Sequence, residues 1–133
     1  MADFSFHRSE RLKSRKTIGT LFEKGNTNTF NAYPVRFVWM PAENQAAPLQ
    51  VAFSVSKKTF KRAHDRNLMK RRMREAFRLH KASMNIAMEH TQKQFALMFI
   101  YNGKGELPYV DILKAYQNGA RKWEKAMAEV VKT

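Results

Sequence analysis

There is no cysteine in this chain of 133 residues. Disulfide scaffolds, thiolate nucleophiles and thiolate metal sites are therefore excluded. The absence fits a reducing compartment, and a cytoplasmic location is expected. Long apolar runs are missing too. Nothing approaches the roughly 18 residues that a membrane span needs, and the first residues are charged without the apolar stretch of a secretory signal. Acidic residues are scarce: 11 Asp and Glu stand against 25 Lys and Arg, for a formal net charge of +14. No H-E-x-x-H, G-x-x-x-x-G-K-[ST] or G-x-G-x-x-G motif occurs. The four histidines (His7, His64, His80 and His90) are scattered. Asp65 and Glu75 are ten residues apart and cannot face one site on a helix. The convergent acids of a metal-dependent nuclease are not evident.

What is present is a core and a concentrated charge. The chain is 44% hydrophobic, with ten Phe, four Tyr and two Trp, which suits one packed domain. Between Lys57 and Lys81 there are eleven Lys or Arg and two acids. Such a block repels itself unless a polyanion lies against it, and a phosphate backbone is the obvious one.

Periodicity supplies the elements. Residues 1–13 are polar and basic apart from Phe4, Phe6 and Leu12 and read as a flexible basic arm; 14–131 form the single domain. Ser14 can cap a helix over about 15–24, with Ile18, Leu21 and Phe22 on one face and Gly25 as its stop. Residues 26–32 read as loop. Tyr33, Val35, Phe37 and Trp39 alternate as a strand begun at Pro34. Leu49, Val51, Phe53 and Val55 alternate with small or polar residues as a second strand, beyond a turn at 41–48. Tyr33, Phe37, Trp39 and Phe53 are expected in the core. Arg36, Val38, Ser54 and Ser56 should lie on the opposite face and could line a groove.

Residues 57–65 form a connection, with Asp65 the plausible cap of a long helix whose stripe runs through Met69, Met73, Ala76, Phe77 and on to Met88. Arg66, Lys70, Arg74, Arg78 and Lys81 fall on a neighbouring face. Residues 95–101 are a continuous apolar run, read as a buried central strand. Ile112, Leu113, Tyr116, Ala120, Trp123 and Met127 define a last helix containing Gly119. The order helix–strand–strand–helix–strand–helix gives a small two-layer α/β sandwich.

Lys57, Lys58, Lys61 and Arg62 in the connection, and Arg66, Asn67, Lys70, Arg71, Arg72, Arg74 and Arg78 in the helix, are the candidate RNA-binding residues. Arginine forks grip two phosphate oxygens and lysines act as point charges. Asn67 could meet a base edge or a sugar hydroxyl, or else cap or bond within the fold. Phe22 could stack on an unpaired base or pack in the core. An RNA-binding accessory subunit, another structured-RNA binder such as a ribosomal protein, a DNA-binding helix module and a protein nuclease are the readings to separate.

Phe53–Lys58 (FSVSKK) followed by Arg66–Phe77 (RNLMKRRMREAF) resembles the protein subunit of bacterial ribonuclease P. Arg11–Lys13, Leu21–Gly25 and Tyr109–Trp123 are similar to its other parts, so the likeness covers about residues 9–127. The resemblance implies an α/β sandwich with a left-handed crossover, against the ordinary rule. It implies a subunit that binds a catalytic RNA and the 5′ leader of precursor tRNA, with no catalytic side chain of its own. Cleavage would use Mg²⁺ held chiefly by the RNA and substrate. One protein per RNA, no DNA and no membrane are the implied associations. Residue by residue, Arg66, Asn67, Lys70 and Arg74 match the cleft side of the family's helix, and Arg71 and Arg72 its further basic positions. Phe22 matches the second aromatic of the leader cleft and Ile18 stands in place of the first. Arg36, Val38, Ser54 and Ser56 would complete that cleft. Leu68 replaces a frequent arginine, and the link Thr59–Asp65 lacks the usual glycine.

Overall fold

The computed structural model describes residues 4–23 and 27–132. Its elements in chain order are α1 (Arg15–Leu21), β1 (Asn28–Ala32), β2 (Val35–Ala42), β3 (Leu49–Val55), α2 (Ala63–His80), α3 (Ala82–Glu89), β4 (Gln94–Tyr101) and α4 (Tyr109–Lys132). The four strands form one sheet in the order β1-β2-β4-β3. β1–β2 and β2–β4 are antiparallel; β3–β4 is parallel, joined through α2 and α3.

β4 is interior to the sheet, and every residue from Phe95 to Phe99 is buried, as its unbroken apolar run predicts. Alternation divides the sheet into two faces. On one, Phe37, Trp39, Val51, Phe95, Leu97 and Phe99 pack with Met69, Met73 and Phe77 of α2, Met84 and Met88 of α3, and Ile112, Tyr116 and Trp123 of α4. Aromatic edges set the spacing: Trp123 lies 5.2 Å from Trp39, and Phe37 lies 4.7 Å from Phe99, both edge to face. Gly119 lets α4 approach β2, since a Cβ there would stand 2.3 Å from ring carbons of Phe37. On the other face α1 packs, together with Leu12 from the segment before it. Leu12 and Leu21 join Val38, Ala96 and Met98 in a smaller cluster.

Four expectations are corrected. First, part of the 26–32 stretch is not loop: Asn28–Ala32 is strand β1, paired antiparallel with β2. Polar Asn and Thr hide its pattern, and one side of this edge strand faces solvent. Second, the long helix begins at Ala63, so Asp65 lies in its first turn; Arg62 is the N-cap and gives no side-chain cap bond. Third, the apolar stripe from Met69 to Met88 spans two helices, α2 and α3, separated by Lys81, which keeps helical dihedrals (φ −69°, ψ −17°). Fourth, the described part of the expected arm lies against the domain. Leu12 N–H donates to Val51 O at 2.8 Å, Gln50 Nε2 donates to Ser9 O at 2.8 Å, and Phe6 packs edge-on against Phe53 and Phe77. Lys81, 7% exposed, joins Glu10 at 2.7 Å and also reaches Ser5 O. The remaining residues of the arm, and Gly25, lie outside the described set. The Ser14 cap is found as expected, its Oγ accepting from Thr17 N–H at 3.2 Å.

Candidate nucleic-acid interface

The connection after β3 is a tight basic turn. Ser56 Oγ accepts from Lys58 N–H at 3.0 Å, and Ser56 O accepts from Thr59 and Phe60 N–H at 3.2 Å each. Ser56 therefore shapes the turn, while its exposed hydroxyl keeps its own O–H to donate. Lys57, Lys58, Lys61 and Arg62 are exposed around it. The ring of Phe60 turns inward, 5.9 Å from that of Tyr101. The end of the parallel strand pair thus carries four cations on a fixed turn.

α2 sorts its cations by helical phase. Its stripe of Met69, Met73, Ala76 and Phe77 is buried. Arg66, Lys70, Arg74, Arg78 and Lys81 follow one another along one flank at three- and four-residue spacing. Arg74 reaches toward β3, its guanidinium carbon 5.9 Å from the Phe53 ring centre. Asn67 and Arg71 are exposed; Asn67 makes no cap. Arg72 falls on the opposite flank. Its fork holds Leu107 O and, at 3.0 Å, Glu106, so it ties α2 to the segment before α4. Sequence proximity could not show that partner, which lies 34 positions away. Arg78 is likewise engaged, with Glu75 at 2.8 Å and Phe4 O at 2.9 Å. The hydrogen bond from that guanidinium, helped by its charge and that of Arg74, holds the Glu75 carboxyl below the usual carboxylate range, against an opposing effect of burial second only to the hydrogen bond. Among the described residues no carboxylate pairs with Lys57, Lys58, Lys61, Arg62, Arg66, Lys70, Arg71 or Arg74.

The sheet face away from the main core completes the surface. Cross-strand register sets Arg36, Ile100 and Ser54 in one row across β2, β4 and β3, and Val38, Met98 and Ala52 in the next. Arg36 is exposed and Ser54 half-buried. Val38 is 5% exposed within the cluster that also holds Leu21; it is floor, not lining. Ile18 is half-buried against that cluster, while Phe22, the C-cap of α1, is 57% exposed. Core packing therefore describes Ile18 and not Phe22. Tyr33, expected in the core, is 64% exposed. It lies in the turn before β2, and the following Pro34 was the signal that the strand starts later.

Among the described residues no three His, Asp or Glu side chains gather as a metal site. A concavity of about 440 Å³ is lined by Pro48, Leu49, Met88 and Gln94 at the other end of the parallel pair, and another is lined by Arg78 and Lys81 of the flank with Phe4, Glu10 and Ile86. The arrangement is an open basic surface with an exposed aromatic, suited to a charged strand rather than to a small substrate.

Comparison with known proteins agrees. The Ribonuclease P family model matches residues 6–124. A ribonuclease P protein component of Porphyromonas gingivalis is 39% identical over 100 residues, covering 74% of this chain and 72% of that protein. One from Legionella pneumophila is 32% identical over 75 residues, covering 56% and 62%. Among solved structures, the RNase P proteins of Staphylococcus aureus (TM-score 0.66, 18% identity, 85% of this chain and 94% of that one) and Thermotoga maritima (TM-score 0.65, 19% identity, 85% and 96%) share the fold. By the match over most of its length, the chain belongs to the ribonuclease P protein family.

Proposed function

We propose that the exposed sheet row with Phe22 receives the single-stranded 5′ leader of precursor tRNA, while the basic turn and α2 flank meet RNA phosphates. The chain is an RNA-binding subunit that acts with a catalytic RNA in 5′ processing of precursor tRNA, as its family does. The observation that carries the finer reading is the set of eight cations without a carboxylate partner, on one turn and one helix. Lys57, Lys58, Lys61, Arg62, Lys70, Arg71 and Arg74 would neutralise phosphates, releasing counterions and binding without regard to sequence. Phe22 would stack on a base, which suits any leader because every base has a π-face. Ile18, Arg36 and Ser54 would border that base and its phosphates, and Asn67 would bond a sugar or base edge. Arg72 and Arg78 would support the surface from within the fold.

The bond-breaking step would belong to the catalytic RNA, as the family implies. Mg²⁺, held by the RNA partner and substrate, would supply that chemistry. One copy per catalytic RNA in the cytoplasm is the simplest assembly. Among the described residues no helix is long and apolar enough to cross a membrane.

The test is Phe22→Ala in complex with the catalytic RNA. Affinity for leader-bearing precursor should fall by about 1–3 kcal/mol, the worth of one stacked base, while affinity for leaderless tRNA stays unchanged. Equal losses for the two would remove Phe22 from the leader site.

A further inference from the structure

We infer that Arg66 serves RNA binding as a positioning residue that fixes the Lys57–Arg62 turn, and not as a phosphate ligand. The inference rests on the RNA-binding reading above. Arg66 sits in the first turn of α2, and its Nη1 donates to two backbone carbonyls, Phe60 O at 2.8 Å and Lys61 O at 3.0 Å. A guanidinium Nη1 carries two hydrogens, and here both are engaged by the loop. The turn is then held on three sides. Ser56 closes it by accepting from Lys58, Thr59 and Phe60; Phe60 anchors its ring on Tyr101; Arg66 holds its far carbonyls. Arg62 at the N-cap of α2 gives no side-chain cap bond.

The arrangement solves a physical problem. Lys57, Lys58, Lys61 and Arg62 lie within six residues and repel one another. Left free, such long side chains on a loose loop would be ordered only on binding, at a cost in affinity. A cation that binds the loop's own carbonyls fixes the backbone and adds a fifth positive charge beside it. Lysine in its place would keep the charge but not the planar donor geometry.

The experiment is a double-mutant cycle on the full chain, read as affinity for the catalytic RNA across monovalent salt. Arg66→Gln is placed in the native sequence and in a background with Lys57, Lys58, Lys61 and Arg62 all changed to Gln. In the native sequence, affinity should drop about tenfold, as expected if several side chains must now be ordered on binding. The slope of log affinity against log salt should shrink by more than the roughly 0.7–0.9 due to one phosphate. In the neutral-loop background, Arg66→Gln should change affinity less than twofold. An equal loss in both backgrounds, with one contact's change in slope, would make Arg66 a direct ligand and overturn the inference alone. A neutral-loop chain that binds RNA as tightly as the native one would overturn the RNA-binding reading of the turn as well. In the isolated protein, amide hydrogen exchange at Thr59 and Phe60 should quicken in both Arg66→Gln and Arg66→Lys. Unchanged exchange would show that the turn does not depend on Arg66.

Discussion

Gly19 and Gly119 both lie in helices, and their surroundings give them opposite signs. A Cβ at Gly19 meets nothing within 4 Å, whereas one at Gly119 would press into the Phe37 ring at 2.3 Å. Gly19→Ala should therefore stabilise by up to about 1 kcal/mol, the helix-propensity difference. At Gly119 the same gain is outweighed by overpacking of about 1–3 kcal/mol, so Gly119→Ala should lower the midpoint of denaturant unfolding. Tyr116 gives a residue-scale pH effect. Burial pushes its hydroxyl above the usual tyrosine range, with the charge of Glu124 adding to the shift; the hydroxyl donates to His80 O at 3.1 Å. A group whose folded pKa is raised stabilises fully below its unfolded pKa, near 10, and that stability is lost as pH rises toward the folded value. Stability should thus fall above pH ~10 by up to about 1.4 kcal/mol per unit from this group. Tyr116→Phe should flatten that alkaline limb, measured as unfolding free energy against pH. At this scale the sequence showed which residues were basic but not what each one held. Arg72 has its acidic partner in a distant segment, and Arg66 is bonded to carbonyls, which no residue pattern records.

Among the elements, α2 does two jobs, and its residues divide between them. Arg66, Arg72 and Arg78, with Lys81 at its C-cap, bind other parts of the chain, while Lys70, Arg71 and Arg74 have no carboxylate partner among the described residues. The Lys81–Glu10 pair is the deepest of these ties, with side chains 8% and 12% exposed. It fastens the segment that leads through Leu12 into α1, and so sets where Ile18 and Phe22 stand. Lys81→Met leaves the Glu10 carboxylate without its cation, still accepting from His7 N–H at 3.0 Å, and should cost up to about 3–5 kcal/mol, read by thermal or urea unfolding. Glu10→Gln keeps an acceptor and should cost less. Adding Glu10→Leu to Lys81→Met should recover part of the loss, because two apolar groups replace a buried pair with little penalty. If the double variant is no better than Lys81→Met alone, the pair is not coupled in this way. The helices and β2, β3 and β4 were legible because their apolar residues keep a clean period. β1 was not, because an edge strand of Asn and Thr is stabilised by its neighbour's backbone more than by its own side chains. The N-terminal contacts were not legible either, since a short segment carrying Phe6 and Glu10 has no period to read.

Over the whole molecule, 11 acids cannot neutralise 25 bases, and the acids that pair with α2 and Lys81 pair with structural cations. Part of the excess stands on the turn and the α2 flank, where eight cations have no carboxylate partner among the described residues. A catalytic RNA and its precursor substrate repel each other, most strongly when Mg²⁺ is scarce, and under the proposed function a protein with +14 charge between them would offset that repulsion. The most direct measurement is precursor-tRNA cleavage at limiting Mg²⁺ with the catalytic RNA alone, this protein alone, and the two together. Correct 5′ cleavage that is slow with RNA alone, absent with protein alone and restored by the pair is the predicted result; cleavage by the protein alone, or no gain from adding it to the RNA, would contradict the account.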